Sequence, residues 1–417
     1  MRRLIAAALL PVLLLTACGG ELVPPAPEVP DPPPAESPEP PPETPEEPRE
    51  PEEPEDSEEA ALLALLEGMT LEEKTGQLFF VRVPAENALE DVTTYHLGGY
   101  LLFGRDTQDK TANDLIQTIA SWQVQAVKYD AGVPLLIGVD EEGGTVVRVS
   151  SNSKLRSKKF SSPGTLWQRG NEGISAVEEE TREKSVLLKA LGFNVNLNPV
   201  ADVSMNPGDF IYDRTVGGNE AETAAYAAKV VEVQSRYGLG SVLKHFPGYG
   251  SNRDTHTGIA VDERPMEIFQ EQDFRPFREG IGMGKRVPPL PAVLVSHNIV
   301  TCMDPELPAS LSPEVHRILR EDLGFEGVVM TDDLAMSAVS AYAADGNVAV
   351  MSIQAGNDLV VTTDYRTQIP RVIQAVKDGT LEEEAVDAAC LRVLRWKLEL
   401  GLLELSEKGT LEPAGLF

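Results

Sequence analysis

The sequence predicts an α/β protein built around a single (β/α)8 barrel, and three observations carry that reading. Eight short apolar runs recur between residues 78 and 362. Stretches with helical start signals lie between them. Most runs are continuous in Val, Ile or Leu rather than alternating with polar residues, as parallel strands covered on both faces require. The runs are Leu78–Val81, Tyr100–Phe103, Leu135–Val139, Val195–Val200, Ser241–Lys244, Ala292–Ser296, Gly327–Thr331 and Asp358–Thr362. Among the helices, Thr70-Leu71-Glu72-Glu73 reads as a capping box. Asn219 to Glu222 repeats the pattern and opens a helix that stops at Gly238. Ser312-Pro313 places a cap and an N1 proline before Val315–Leu323. Thr380 to Glu383 reads as the cap of a last amphipathic helix running to Gly401. Alternating units in this number fit a closed barrel. An open doubly wound sheet is the competing arrangement, but Gly98-Gly99 and Gly143-Gly144 lack the spacing of a dinucleotide fingerprint.

Two other segments precede the barrel. Residues 1–17 join Arg2 and Arg3 to an apolar run from Leu4 to Leu15, which reads as a secretory signal. The run is too short to span a membrane, which takes about 20 apolar residues. Its end, Leu15-Thr16-Ala17-Cys18, resembles the bacterial lipobox, which implies cleavage before Cys18 and lipidation of that thiol. Residues 18–58 follow as a linker. Positions 21–58 hold 15 of the chain's 32 prolines and 14 acidic residues against one basic one, so they cannot bury a core and read as disordered. An extended, polyproline-like spacer of this length reaches on the order of 100 Å. The globular part is then residues 59–417.

Charge narrows the function. The formal charge is −30, of which −19 falls in residues 59–417. Nucleic acid is excluded as a partner, because phosphate binding takes clustered Lys and Arg. Three cysteines do not make a disulfide scaffold, and five histidines leave little room for a His-rich metal site.

Polar residues concentrate where the strands end, the rim that carries the active site in a barrel. The third run ends in Asp140-Glu141-Glu142-Gly143-Gly144. The fourth ends at Asp202 and the fifth at Lys244-His245-Phe246-Pro247-Gly248. The sixth gives Ser296-His297-Asn298 and the seventh Thr331-Asp332-Asp333. Carboxylates, a lysine and histidines are present, without a Gly-x-Ser-x-Gly elbow. A carboxylate-based hydrolase acting on sugars is the chemical reading, since glycosidic cleavage needs a carboxylate at the anomeric carbon.

Lys244-His245-Phe246-Pro247-Gly248-Tyr249-Gly250, followed by Asp254-Thr255-His256, resembles glycoside hydrolase family 3, and within it the bacterial β-N-acetylglucosaminidases. Gly327 to Met336, Gly138 to Gly144 and Asn198 to Val203 extend the likeness, which runs from about Met69 to Leu403. The resemblance implies a retaining exo-enzyme that releases terminal N-acetylglucosamine from peptidoglycan fragments, needing no cofactor or metal. Asp332 would be the nucleophile that forms a covalent glycosyl-enzyme. His256 would be the acid/base and Asp254 the residue that orients its imidazole. Asp140, Arg214, Lys244 and His245 match the sugar-binding positions. Asp333 should point away from Asp332 if the strand continues. The sequence departs from the family at Tyr249, where histidine is common, at Thr215 and Val216, and in a loop before Asp254 that is one residue shorter than in many relatives. His297 either lines the site or is structural; His96 and His316 read as structural or exposed. Cys302 and Cys390 are left as a pair or as two free thiols. A β-glucosidase or β-xylosidase of the same family, and a non-catalytic sugar-binding surface lipoprotein, are the alternatives. Partners are then N-acetylglucosamine-containing glycans or muropeptides, with the extracytoplasmic face of the cell membrane reached through Cys18.

Overall fold

A computed structural model describes residues 55–252, 258–336, 338, 339, 342 and 347–415. The signal, Cys18 and the linker up to residue 54 lie outside the described residues, as do Asp254 and His256. The first helix, Glu55–Gly68, starts within the stretch read as linker.

All eight apolar runs form strands of one parallel sheet. They are β1 (Phe79–Arg82), β2 (Gly99–Leu102), β3 (Leu136–Val139), β4 (Val195–Asn196), β5 (Gly240–Phe246), β6 (Ala292–Val295), β7 (Val329–Thr331) and β8 (Val360–Thr362). Each pairs with its neighbour in chain order, and β8 returns to pair with β1. A bridge between Met330 and Leu359 joins β7 to β8 and completes the ring. The open doubly wound sheet is thereby ruled out.

The continuous apolar character has a direct cause. Successive strand side chains point to opposite faces, and both faces here are dry. Phe80, Leu101, Leu136, Leu294, Met330 and Val361 meet inside the barrel. Their neighbours Phe79, Val81, Tyr100 and Leu102 pack outward with helix residues such as Ile119 and Trp122. Gly138 makes room for this interior: a Cβ there would stand 2.3 Å from the Phe80 ring. The inner stack continues through Trp396, Leu400 and Leu402.

The start signals at Thr70 and Asn219 are full capping boxes, and Ser312 caps Pro313–Arg317. The reading of Thr380 as a cap is corrected. Leu381 is buried and its amide is bonded to Ala375 of the preceding helix, so the chain stays in a turn. Helix Glu383–Glu399 begins later, with Glu382 as N-cap, while the Thr380 hydroxyl donates to Asp378 at 2.6 Å. Beyond the barrel, Leu403–Leu405 and Leu411–Pro413 pair as an antiparallel hairpin. Cys302 and Cys390 are both free thiols, Cys390 fully buried.

Candidate active site

The C-terminal ends of the strands open into a cavity of about 1020 Å³. Asp140, Arg214, Lys244, His245 and Asp332, all anticipated from sequence, line it together.

The loop after β3 supplies two carboxylates. Asp140 stands at its start, and Gly143 and Gly144 then turn the chain with φ of 107° and 64°. A side chain at Gly143 would meet the Ser161 carbonyl at 2.0 Å, so the tight turn depends on glycine. That turn sets Glu142 beneath the cavity, fully buried. Glu141 turns the other way and accepts the amides of Arg148, Val149 and Ser150, which fixes the loop.

β5 supplies the cations. Its register against β6 shifts between Lys244 and Phe246, a local irregularity of the kind that re-aims side chains at barrel rims. Lys244 and His245 both face the cavity. Lys244 Nζ lies 2.6 Å from Asp140 and 2.7 Å from Glu142. Arg214, from the turn Tyr212–Arg214, donates Nε and Nη2 to the two oxygens of Glu142 at 3.0 and 2.8 Å. Burial works against charge on all three groups, but mutual attraction outweighs it. The Glu142 carboxyl is held well below its usual range, and Lys244 and Arg214 are pushed above theirs.

Asp202, buried at the end of the fourth run, accepts from His245 Nδ1 at 2.7 Å and from the Tyr249 amide at 2.8 Å. His245 Nε2 faces Arg214 Nη2 at 3.3 Å.

Asp332 follows the last residue of β7. Burial opposes its charge, yet His297, His245, the Asp333 amide and Lys244 more than compensate, and its carboxyl lies below the usual aspartate range. The Asp333 amide donates to Asp332 Oδ1 at 2.8 Å. The expectation that Asp333 points away is corrected. The strand ends at Thr331, the two-residue alternation ends with it, and Asp333 also borders the cavity. Its oxygens are engaged by the Ala335 amide and the Thr363 hydroxyl. His297 is buried, with Nδ1 2.7 Å from the Ser310 hydroxyl and Nε2 3.1 Å from the Asp333 carbonyl, so it braces the strand end from behind. His316 is buried and structural, and His96 pairs with Asp130.

Sequence reasoning gave no role to Glu142, Asp202, Arg82 or Arg148. The first two stood in quoted motifs, and their signal was a carboxylate at a strand end that also had cations to match. The two arginines border the cavity against Phe103, 4.3 and 6.0 Å from its ring centroid, and each has a buried Nε with no hydrogen-bond partner among the described residues. No periodicity marked them. In all, four Lys and Arg side chains, His245 and five carboxylates border the cavity, a near balance that suits an uncharged, hydroxyl-rich ligand.

Residues 70–396 match the glycosyl hydrolase family 3 N terminal domain. The chain is 32% identical over 339 residues to beta-hexosaminidase LpqI of Mycobacterium tuberculosis, a match covering 78% of this chain and 82% of the relative. The solved structure of M. tuberculosis LpqI superposes with a TM-score of 0.70 at 31% identity, over 81% of this chain and 96% of that one. A family 3 beta-N-acetylglucosaminidase from Paenibacillus gives a TM-score of 0.73 at 29% identity, over 82% of this chain and 66% of that one. With the family match spanning nearly all of the barrel, the chain belongs to glycosyl hydrolase family 3 and is a glycoside hydrolase.

Proposed function

We propose that the protein is a retaining exo-β-N-acetylglucosaminidase that hydrolyses terminal β-linked N-acetylglucosamine. One observation carries the mechanism: Asp332, at the end of β7, lines the cavity half-buried, and its surroundings hold its carboxyl below the usual aspartate range. A carboxylate desolvated in this way is a stronger nucleophile toward an anomeric carbon than one facing bulk water. The sugar's hydroxyls would meet Lys244, Asp140 and Arg214, already fixed by Glu142, with the free Nε donors of Arg82 and Arg148 nearby. Attack by Asp332 breaks the glycosidic bond and forms a glycosyl ester, while His256 gives its proton to the leaving oxygen. The same imidazole then takes a proton from water, which hydrolyses the ester and frees Asp332. Asp254 stabilises the imidazolium that exists before the first step and is restored by the second. The names of the relatives support N-acetylglucosamine as the sugar released, and the substrates are read as peptidoglycan fragments met by an enzyme tethered through Cys18.

The test is covalent trapping. A 5-fluoro N-acetylglucosaminyl fluoride should inactivate the enzyme and leave its label on Asp332, located by peptide mass spectrometry. Asp332→Asn should keep sugar binding and lose nearly all turnover. A label on Asp333 or Asp140 would refute the assignment.

A further inference from the structure

The buried end of the cavity accounts for the sugar that is released, but the outer rim is also built. Phe210 borders the same cavity as Asp332 and His245, and it is 44% exposed. A large aromatic ring at the edge of a polar cavity offers a flat apolar face to a ligand seated there. Its position is fixed from behind. The Phe210 ring packs at a tilt against Tyr249, with centroids 5.9 Å apart, and Tyr249 meets His245 edge-on at 5.6 Å. Tyr249 is buried, as is Ile211 beside Phe210, and both pack on Val200. The loop is tied further by Asp209, which accepts from Ser204 and Asn206. Three rings thus form a continuous series of contacts from His245, at the cavity, to the exposed Phe210. Asp213, exposed and also at the cavity, adds an acceptor for hydroxyl groups.

We propose that Phe210 is the floor of a leaving-group subsite that binds the apolar C–H face of a second pyranose ring. The assignment rests on the reading of the chain as an exo-N-acetylglucosaminidase. A pyranose offers axial C–H bonds on one face and hydroxyls around its edge, so a flat ring beneath it and Asp213 beside it match both parts. The cavity volume lies at the upper end of the ~300–1000 Å³ typical of ligand sites, which leaves room beyond one sugar.

The experiment compares two substrates. N,N′-diacetylchitobiose carries a sugar as leaving group, whereas N-acetyl-β-glucosaminyl azide carries no ring. The Phe210→Ala variant should lower the ratio of kcat/KM for the disaccharide over the azide about tenfold, the scale of one aromatic stacking contact. Phe210→Trp should hold that ratio near its wild-type value. An unchanged ratio in Phe210→Ala overturns the subsite, since Phe210 would then affect both substrates only through the loop that carries Arg214. Wild-type enzyme that turns over neither compound overturns the parent reading, and this one with it.

Discussion

In the proposed mechanism Asp332 and His256 hold opposite protonation states for the first step, and the environment of Asp332 fixes the acid side of that window. A nucleophile has to be ionised. Because its carboxyl lies below the usual range of about 3.9, lowering the pH should not extinguish attack until below that value. Activity on sugar-linked substrates should instead fall as pH rises through the imidazole range, about 6.5, when the acid loses its proton. His256→Ala should remove that alkaline fall. It should also slow sugar-linked substrates by roughly 10²–10⁴-fold, while dinitrophenyl glycosides keep much of their glycosylation rate. Equal losses on good and poor leaving groups, measured by stopped flow, would mean another residue supplies the proton. Four of the five residues found together at the cavity were legible because each stands at the end of an apolar run, and a barrel brings such ends to one rim, whereas Arg214 lies in a turn after β4 and was anticipated only from the family resemblance. Glu142 and Asp202 were not, because their roles depend on which cation or imidazole the fold sets beside them. Asp333 was misplaced by assuming a strand that stops at Thr331.

Elements read well where burial alone decides them. Each barrel strand is dry on both faces, so each left a continuous apolar run. Boundaries were less legible, as at Thr380, where a buried Leu381 delays the helix that local capping signals would start. The barrel interior makes its own prediction. Gly138 on β3 faces the Phe80 ring of β1. Gly138→Ala should overpack that contact and cost about 1–3 kcal/mol, read as a lower urea midpoint at unchanged slope. Adding Phe80→Leu should recover part of the loss. If the pair is no better than the single variant, the clash lies elsewhere.

At the scale of the whole molecule, charge and composition divide the work. Residues Glu53–Phe417 form a compact unit of their own. A chain restricted to that unit should hydrolyse a soluble chromogenic N-acetylglucosaminide with the kcat/KM of the full-length protein. Full-length Cys18→Ala should match it in activity and leave the membrane fraction. A truncated chain that folds, by circular dichroism, but turns over poorly would give the leading segment a part in catalysis. The chain of contacts from Asp140 through Lys244 and Glu142 to Arg214 links the ends of β3 and β5 with the turn that follows β4. The groups proposed to bind the sugar are therefore also struts of the barrel rim, and opening the rim dissolves the site. A ligand seated there binds only the folded state, so it raises the melting temperature in proportion to its affinity and concentration. Thermal-shift screening of glycan fragments against the resting protein thus ranks them without any turnover, including those the enzyme cannot cleave.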